Sequence, residues 1–326
     1  MRAVIVETPG EGSVLRLAEV PEPTPGPGQL LLSVRATAVN RADLLQRRGL
    51  YPPPPGTSEI LGLECAGEVV AVGDGVAGWA VGDRAMALLA GGGYAEKVVV
   101  DAGCAMKVPA CLSWAEAGAF PEVFLTVYLT VFVLGGLRAG ETVLVHGGAS
   151  GVGTAAITLV TRGGGAVFVT AGSDEKCRRC LALGARGAFN YRTTDFVAAL
   201  RAATQERGAD LILDAIGGSY LARNVEALAV GGRLLLIGTM GGRRGELDVA
   251  TVLRRRLTIV GSTLRARPPA EKAALIQQFL QEFGADLEAG LLRPVIHAVF
   301  PLEAVEEAHR LVAASAHVGK VVLRLE

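Results

Sequence analysis

The 326-residue chain has little cysteine: five residues, Cys65, Cys104, Cys111, Cys177 and Cys180. A count so low and odd excludes the disulfide framework of a small secreted scaffold and points to reduced thiols in a cytoplasmic protein. There is no surplus of either charge, with 32 Lys and Arg against 32 Asp and Glu, so nothing draws the whole molecule to nucleic acid or anionic lipid. Long hydrophobic runs are also missing, although half the residues are hydrophobic and mean hydropathy is positive. The longest run, Val123 to Leu134, is broken by Thr126 and Thr130 and bounded by Glu122 and Gly135-Gly136, which excludes a membrane span and predicts a buried helix. Met1 to Val6 reads as an opening strand, not a signal peptide. No internal repeat or low-complexity linker is visible.

What is present is most informative at Glu141 to Thr154, ETVLVHGGASGVGT, where an apolar strand runs into a glycine-rich turn that opens a helix. Thr142 to Val145 has the unbroken apolar character of a parallel strand covered on both faces. Behind the turn, Val152, Ala155, Ala156, Leu159 and Val160 follow the spacing of a helix packed on a sheet. Glycines let the backbone approach a pyrophosphate, and the positive end of the helix binds its charge. Gly148, Gly151 and Gly153 read G-x-x-G-x-G, a departure from the usual G-x-G-x-x-G, so the flanking strand and helix carry the assignment more than the glycines do.

Two textures alternate along the chain. Residues 1 to about 120 are rich in short β-like runs, Leu30–Val34, Glu68–Val72 and Tyr94–Val100, with loops at Pro21–Gly28 and Pro52–Pro55; this predicts a β-rich domain. From 122 to 264, strands at Thr142–Val145, Ala166–Thr170, Ala188–Asn190, Leu211–Asp214, Leu234–Gly238 and Thr258–Ser262 alternate with helical segments, the pattern of a doubly wound parallel sheet in an α/β protein. The tail has a helix over Ala270–Phe283, a stretch Pro294–Phe300, a second helix and a last strand Val321–Leu325. Its composition predicts a return to the first domain. The expected boundaries are 1–121 with 265–326 and 122–264.

The end of the second strand selects the cofactor. An NAD site places an Asp or Glu there to hold the ribose hydroxyls. Here the strand ends Thr170-Ala171-Gly172-Ser173: Gly172 leaves room, Ser173 can donate a hydrogen bond, and Lys176 one turn on can pair with a 2′-phosphate. This favours NADPH. Two other readings stand beside it: Ser173 as a plain N-cap with Lys176 and Arg178 on a solvated face, and Asp174 aimed at the ribose of NAD.

The run Ala36 to Gly56, ATAVNRADLLQRRGLYPPPPG, with Ile60 to Gly67, Gly82-Asp83-Arg84, Ala85 to Gly93 and Ala171-Gly172-Ser173, resembles the quinone oxidoreductase branch of the medium-chain dehydrogenase/reductase superfamily, and within it the p53-inducible quinone oxidoreductase subgroup. The resemblance extends over the whole chain. It implies a Rossmann domain plus a GroES-like substrate domain formed by both chain ends, with the active site in the cleft between them. It further implies Asn40 and Tyr51 as cleft residues beside the nicotinamide, Tyr51 binding the acceptor oxygen or relaying a proton to it. On the residues alone, Tyr51 reads as a loop aromatic against Pro52 to Pro55. The resemblance also implies cofactor roles for Thr126 near the nicotinamide, for Ser150, Gly151, Val152 and Gly153 at the pyrophosphate, and for Tyr191 beside the adenine ribose. Gly238-Thr239-Met240 fall beyond the carboxyl end of a strand, where open sheets bind ligands.

Zinc members of this superfamily take a catalytic metal on a Cys and a Gly-His-Glu segment. Here Asn40 stands for the Cys, Leu63 for the His, and no cysteine cluster follows Asp83, so no metal site is expected. Glu64 is left to serve the fold, and Cys177 and Cys180, a single C-x-x-C on a helix, to serve as structural thiols. Without a Lewis acid, a quinone or conjugated enone is the fitting acceptor, because it delocalises the charge it gains and needs mainly proximity to the hydride. The expected activity is a zinc-independent NADPH:quinone oxidoreductase. Alternatives are an enone or alkenal reductase, and an NADPH-binding module without turnover that binds RNA. Arg254-Arg255-Arg256 with Arg265 and Arg267 form a basic cluster, but no aromatic stacking platform accompanies it, which argues against RNA. His146, His297, His309 and His317 are scattered and read as structural. Leu257 to Val260 reads as an edge strand, and the resemblance implies homodimers joined at such edges.

Overall fold

The structure, a computed structural model, describes residues 1–325. The chain divides into two compact units, Met1–Leu125 with the segment from Leu264 onward, and Thr126–Thr263. Along the chain the strands are β1 (Arg2–Glu7), β2 (Val14–Glu19), β3 (Gln29–Val39), β4 (Glu64–Val72), β5 (Arg84–Leu88), β6 (Lys97–Asp101) and β7 (Ala105–Lys107). The second unit holds β8 (Thr142–His146), β9 (Ala166–Ala171), β10 (Gly187–Asn190), β11 (Ala209–Asp214), β12 (Leu228–Leu236) and β13 (Thr258–Gly261). Last come β14 (Ile296–Pro301) and β15 (Lys320–Arg324).

In the first unit β1 and β2 pair as a ribbon, and a seven-stranded sheet runs β14-β15-β3-β4-β5-β7, with β6 also on β3. Its centre is β3, which is eleven residues long and apolar at alternate and adjacent positions. Register shifts against β4 between Leu31 and Leu32 and between Val34 and Ala36 bend it. One edge of β3 therefore pairs with β6 over Gln29–Ser33 and then with β15 over Ala36–Val39. Gly67 makes the bend possible, since a Cβ there would lie 2.1 Å from the Ser33 carbonyl oxygen. Leu30, Leu32, Leu61, Tyr94, Val321 and Leu323 are fully buried in this unit's core, so residues from both ends of the chain share one interior.

The second unit is a six-stranded parallel sheet in the order β10-β9-β8-β11-β12-β13. The order reverses between β8 and β11, the switch point at which such sheets bind ligands. Every residue of β8 is buried, as its apolar run predicts. The helix Gly151–Arg162 sinks deeper than a one-sided stripe predicts: Gly151, Gly153, Thr154 and Ile157 are buried along with Ala155, Ala156, Leu159 and Val160, because its residues are small. Val152, expected on the packed face, is partly exposed. The run Val123 to Leu134 is helical in two forms, an α-helix Pro121–Val127 continuing as a π-helix Tyr128–Leu134. Its threonines cause less of a break than expected, since the Thr130 hydroxyl bonds the Thr126 carbonyl at 2.7 Å. Among the described residues no helix is long and apolar enough to cross a membrane, and all five cysteines are free.

Gly67→Ala is expected to destabilise the protein by about 1–3 kcal/mol or more through the clash with Ser33. Gly261→Ala, with nothing within 4 Å of its added Cβ, is the control. Urea unfolding of the two variants checks this, and equal midpoints would dismiss the packing role of Gly67.

Candidate active site

At the end of β8 the backbone turns on Gly147, whose φ of 71° favours glycine. Gly148 donates its N–H to the Thr170 carbonyl at 2.9 Å. A Cβ on Gly148 would lie 2.4 Å from Val169 Cβ, and one on Gly153 would lie 2.3 Å from the Gly147 carbonyl oxygen. Ser150 caps the helix, its hydroxyl accepting from the Gly153 N–H at 3.0 Å. That leaves the N–H groups of Gly151 and Val152 at the positive helix end. The cradle suits a diphosphate: its walls are backbone, and side chains at its glycines would fill it. Sequence reading missed Gly147, although the adjacent Gly-Gly pair was the signal.

The neighbouring strand ends are locked by a hydrogen-bond network that ends on the Asp214 carboxyl. His146 shares one ring nitrogen, Nδ1, with the Thr170 hydroxyl at 3.0 Å and the other, Nε2, with the Asn224 Oδ1 at 2.7 Å. Asn224 donates to Asp214 Oδ2 at 3.0 Å, and Asp214 also accepts from the N–H groups of Ile216 and Gly217 at 2.6 and 3.1 Å. Burial pushes the His146 pKa down to about 4, so its ring is neutral and structural. Beyond β12, the Met240 N–H bonds Ala215 and the Gly241 N–H bonds Ile216, at 3.1 and 2.7 Å, which sets Gly238, Thr239 and an exposed Met240 at the same carboxyl edge.

At the end of β9, Ser173 caps the helix Asp174–Ala182, its hydroxyl accepting from the Lys176 N–H at 3.3 Å. The plain N-cap is thus real for Ser173. A Cβ on Gly172 would lie 2.7 Å from the hydroxyl of the exposed Tyr191 side chain, which packs over it. Tyr191 itself hangs from Ala171, to whose carbonyl its N–H donates at 3.1 Å. Asp174 is drawn aside by Asn190, whose Nδ2 donates to it at 2.8 Å. Lys176 is half-buried, and burial followed by the Arg192 cation holds its pKa below the usual lysine value. Arg192 is a residue that sequence reading missed; the signal was its place directly after Tyr191 at the exit of the third strand of this sheet.

In the first unit, Asn40 stands between β3 and the helix Arg41–Arg47. Its Nδ2 donates to Glu64 Oε1 at 2.9 Å and to the Ala38 carbonyl at 3.3 Å, and its Oδ1 accepts from Lys320 Nζ at 2.6 Å. Lys320 also pairs with Glu64 at 2.8 Å, and both side chains are almost wholly buried, at 3% and 0% exposure. The second Glu64 oxygen accepts from the Glu122 N–H at 2.9 Å. Alongside, Asp43 accepts from the N–H groups of Asn40 and Gly62 and from the Tyr94 hydroxyl, which also meets His309 Nε2 at 3.1 Å. Burial lifts the Asp43 pKa to about 6 and, with the Arg47 cation, pushes that of His309 down to about 3.

Tyr51 lies half-buried beyond the helix Arg41–Arg47. The buried Arg265 guanidinium sits 5.3 Å from its ring and donates to its carbonyl at 3.3 Å, while also bonding Ala90 and Gln46. Arg265, grouped in sequence with the basic cluster of Arg254, Arg255, Arg256 and Arg267, is therefore buried and hydrogen-bonded within the first unit. Arg255 is likewise occupied, bonding the carbonyls of Val225, Glu226 and Leu228. Burial and the Glu122 carboxylate push the Tyr51 pKa upward. Glu122 has one buried oxygen, Oε2, with no hydrogen-bond partner among the described residues. Burial, and then the charge of Glu64, lift its pKa to about 8. Thr126 is on the helix Pro121–Val127 and half-buried. Asn40 and Tyr51 flank one short helix but are held by different partners, Lys320 and Arg265. Neither Lys320 nor Glu122 was singled out from the sequence, since nothing local marks a lysine on the last strand as the partner of Asn40.

A parallel sheet with a glycine cradle at its switch point, in a chain whose two ends build a second β-rich unit, defines a nucleotide-dependent dehydrogenase class. Comparison with known proteins agrees. The alcohol dehydrogenase GroES-like domain family matches residues 26–110, and the zinc-binding dehydrogenase family matches residues 183–323. Quinone oxidoreductase of Lama guanicoe is 34% identical over 329 residues, spanning 100% of this chain and 98% of that protein. The structure of an NAD-dependent alcohol dehydrogenase superposes with a TM-score of 0.87 at 35% identity over 100% of both chains. Escherichia coli quinone oxidoreductase complexed with NADPH does so at 0.86 and 25% identity over 99% of each. The chain belongs to the medium-chain dehydrogenase/reductase superfamily, as a quinone oxidoreductase-like, NAD(P)-dependent reductase.

The zinc in the name of one matching family does not fit the residues here. Leu63 offers no donor, and Asn40 and Glu64 are already bound to the Lys320 ammonium. Among the described residues no group of three or more His, Cys, Asp and Glu could hold a metal ion.

Lys320→Met leaves Glu64 buried without its cation and is expected to cost about 3–5 kcal/mol. Glu64→Gln with Lys320→Met should recover part of that loss. Denaturant midpoints for the single and double variants check the pairing, and additive losses would show that the two groups act independently.

Proposed function

We propose that the protein is a zinc-independent NADPH:quinone oxidoreductase, with a cofactor domain over 122–264 and an acceptor domain from 1–121 with 265–326. The observation that carries the cofactor choice is the end of β9. Asp174, the acid nearest the strand end, is held by Asn190, while the half-buried Lys176 and the Arg192 cation supply positive charge for a 2′-phosphate. NADPH in the Escherichia coli relative supports the same choice. The quinone oxidoreductase relative supports the acceptor, and the motifs around Asn40 and Tyr51 support placement in the p53-inducible subgroup.

When bound, NADPH supplies a hydride and the two electrons it carries. The chain's own part is to bind, orient and protonate. Gly148, Ser150, Gly151, Val152 and Gly153 are assigned to the diphosphate, Gly172, Ser173, Lys176 and Tyr191 to the adenosine ribose and its phosphate, and Thr126, Gly238, Thr239 and Met240 to the nicotinamide half. Asn40 keeps one Oδ1 lone pair beyond its bond to Lys320, enough to accept from a nicotinamide carboxamide. Tyr51 presents a hydroxyl to the acceptor oxygen, with Arg265 steadying its ring. We also assign a homodimer to the unpaired edge of β13, beside which Val230, Val249 and Leu253 are exposed.

The first test is NADPH oxidation with 1,2-naphthoquinone, with NADH and an alkenal in parallel. Quinone turnover that prefers NADPH is expected; a faster alkenal reaction would move the assignment to an enone reductase, and binding without oxidation would leave a binding module. Lys176→Ala is expected to weaken NADPH by roughly tenfold with little change for NADH, read by fluorescence titration. Equal losses would remove Lys176 from the phosphate. Tyr51→Phe should lower kcat and leave cofactor affinity unchanged.

A further inference from the structure

Asp43 is fully buried on the helix Arg41–Arg47, and three donors from different parts of the chain converge on its carboxyl. Its Oδ2 accepts from the Asn40 N–H at 2.7 Å and from the Tyr94 hydroxyl at 3.2 Å, and its Oδ1 accepts from the Gly62 N–H at 3.1 Å. An acid at this place in a helix ordinarily caps the first turn and does no more. Here it also ties the start of the helix to the segment that leads into β4. It therefore fixes the backbone of Asn40 against Glu64, whose carboxylate accepts from the Asn40 side chain at 2.9 Å.

The bonds behind Tyr94 admit one set of directions. Arginine can only donate, so Arg47 Nη1 donates to His309 Nδ1 at 3.4 Å, and that nitrogen carries no hydrogen. The ring is neutral, because burial and then the Arg47 cation push its pKa down to about 3, and its one hydrogen is on Nε2. That N–H donates to the Tyr94 hydroxyl at 3.1 Å, which leaves the hydroxyl hydrogen for Asp43. Both ends of this relay are anchored. Glu306 holds Arg47 at 2.8 and 3.1 Å, and the Tyr94 N–H is held by the Leu61 carbonyl at 2.9 Å. The other charged and titratable groups around Asp43 are Lys320 on β15, Glu64 on β4, Glu122 on the helix Pro121–Val127, and Arg265.

We propose that Asp43 positions Asn40 for the nicotinamide, and that the relay Arg47–His309–Tyr94 holds the Asp43 carboxylate to that task. This rests on the reading of Asn40 as the residue that accepts from the nicotinamide carboxamide. Asp43 touches neither cofactor nor acceptor; it is a positioning residue that acts through the Asn40 N–H. A charged carboxylate accepts hydrogen bonds about twice as strongly as a neutral one, so protonation slackens its hold on Asn40 and gives turnover an acid limb. Burial decides where that limb falls. It lifts the Asp43 pKa from 3.8 to about 6, against the pull of the Asn40 and Gly62 N–H groups, Lys320 and Tyr94. The sign for stability is the opposite one. With its folded pKa above the unfolded value, Asp43 contributes more stability as pH falls from about 6 toward 3.8, the range in which activity is lost. An acid that served only the fold would not lower activity there.

Two measurements test this. In the first, kcat/KM for NADPH with 1,2-naphthoquinone is followed against pH. The wild type is expected to fall as pH drops through about 6. Tyr94→Phe removes one donor and keeps the ring, so its limb should begin about one unit higher, with KM for NADPH affected more than kcat. In the second, the cofactor-free wild type, isotope-labelled, is titrated by NMR, and the Asn40 backbone amide should shift with the same midpoint as the Asp43 carboxyl carbon. This arm needs neither turnover nor a variant that folds. An Asn40 amide that ignores the Asp43 titration, a wild-type rate that stays flat across it, or a Tyr94→Phe limb that coincides with the wild type's overturns the proposal and leaves the quinone reductase reading intact. No oxidation of NADPH by the wild type at any pH, with any quinone or alkenal, overturns both.

Discussion

One buried ammonium organises the first unit. Lys320, on the last strand, reaches Asn40 and Glu64 in an interior where neither charge of the pair is more than 3% exposed. Taking such a pair out of water is costly, and only good geometry and further hydrogen bonds offset it. Here those bonds come from the Asn40 amide, the Glu122 N–H and, through Glu64's own carbonyl, the Thr37 hydroxyl at 2.6 Å. The knot joins β3, β4 and β15 and fixes where the helix Pro121–Val127 begins. Asn40 and Glu122 take their positions from it.

The same positions bear on the zinc in the name of one matching family. A Lys320 cation on Asn40 and Glu64 neutralises a carboxylate that would otherwise be buried alone. A lysine has no vacant coordination site and cannot polarise a carbonyl as a metal does. The second unit follows a similar rule. His146, Thr170 and Asn224 hold the strand ends beside the glycine cradle by hydrogen bonds that run on to the Asp214 carboxyl.

The parallel sheet was legible because its strands are continuous apolar runs and its turns carry glycine, and both signals are local. The helix after the glycine turn was legible for the same reason, although its deep burial was not, since small residues blur an amphipathic stripe. The return of the chain's tail could be inferred from composition, but not its register. Asn40 was found through its place in a motif; its partner was hidden, because pairing across 280 residues leaves no trace in spacing. Arg265 read as surface charge since arginine usually is; its burial is set by three hydrogen-bond acceptors contributed from elsewhere in the chain. Glu122 escaped notice because a buried carboxyl oxygen without a hydrogen-bond partner among the described residues leaves no trace in a sequence.

The two-ended construction of the first unit also bears on the order in which the protein can be made. Residues 126–263 form an uninterrupted stretch that contains all six strands of its sheet. On a ribosome this stretch can close while its predecessor waits. The first 125 residues cannot, because Ala36–Val39 lacks its β15 neighbour and Glu64 its ammonium until Lys320–Arg324 has emerged. Until β15 arrives the nascent chain therefore carries an open strand edge and an unmatched acid, a surface that invites wrong pairing and needs protection.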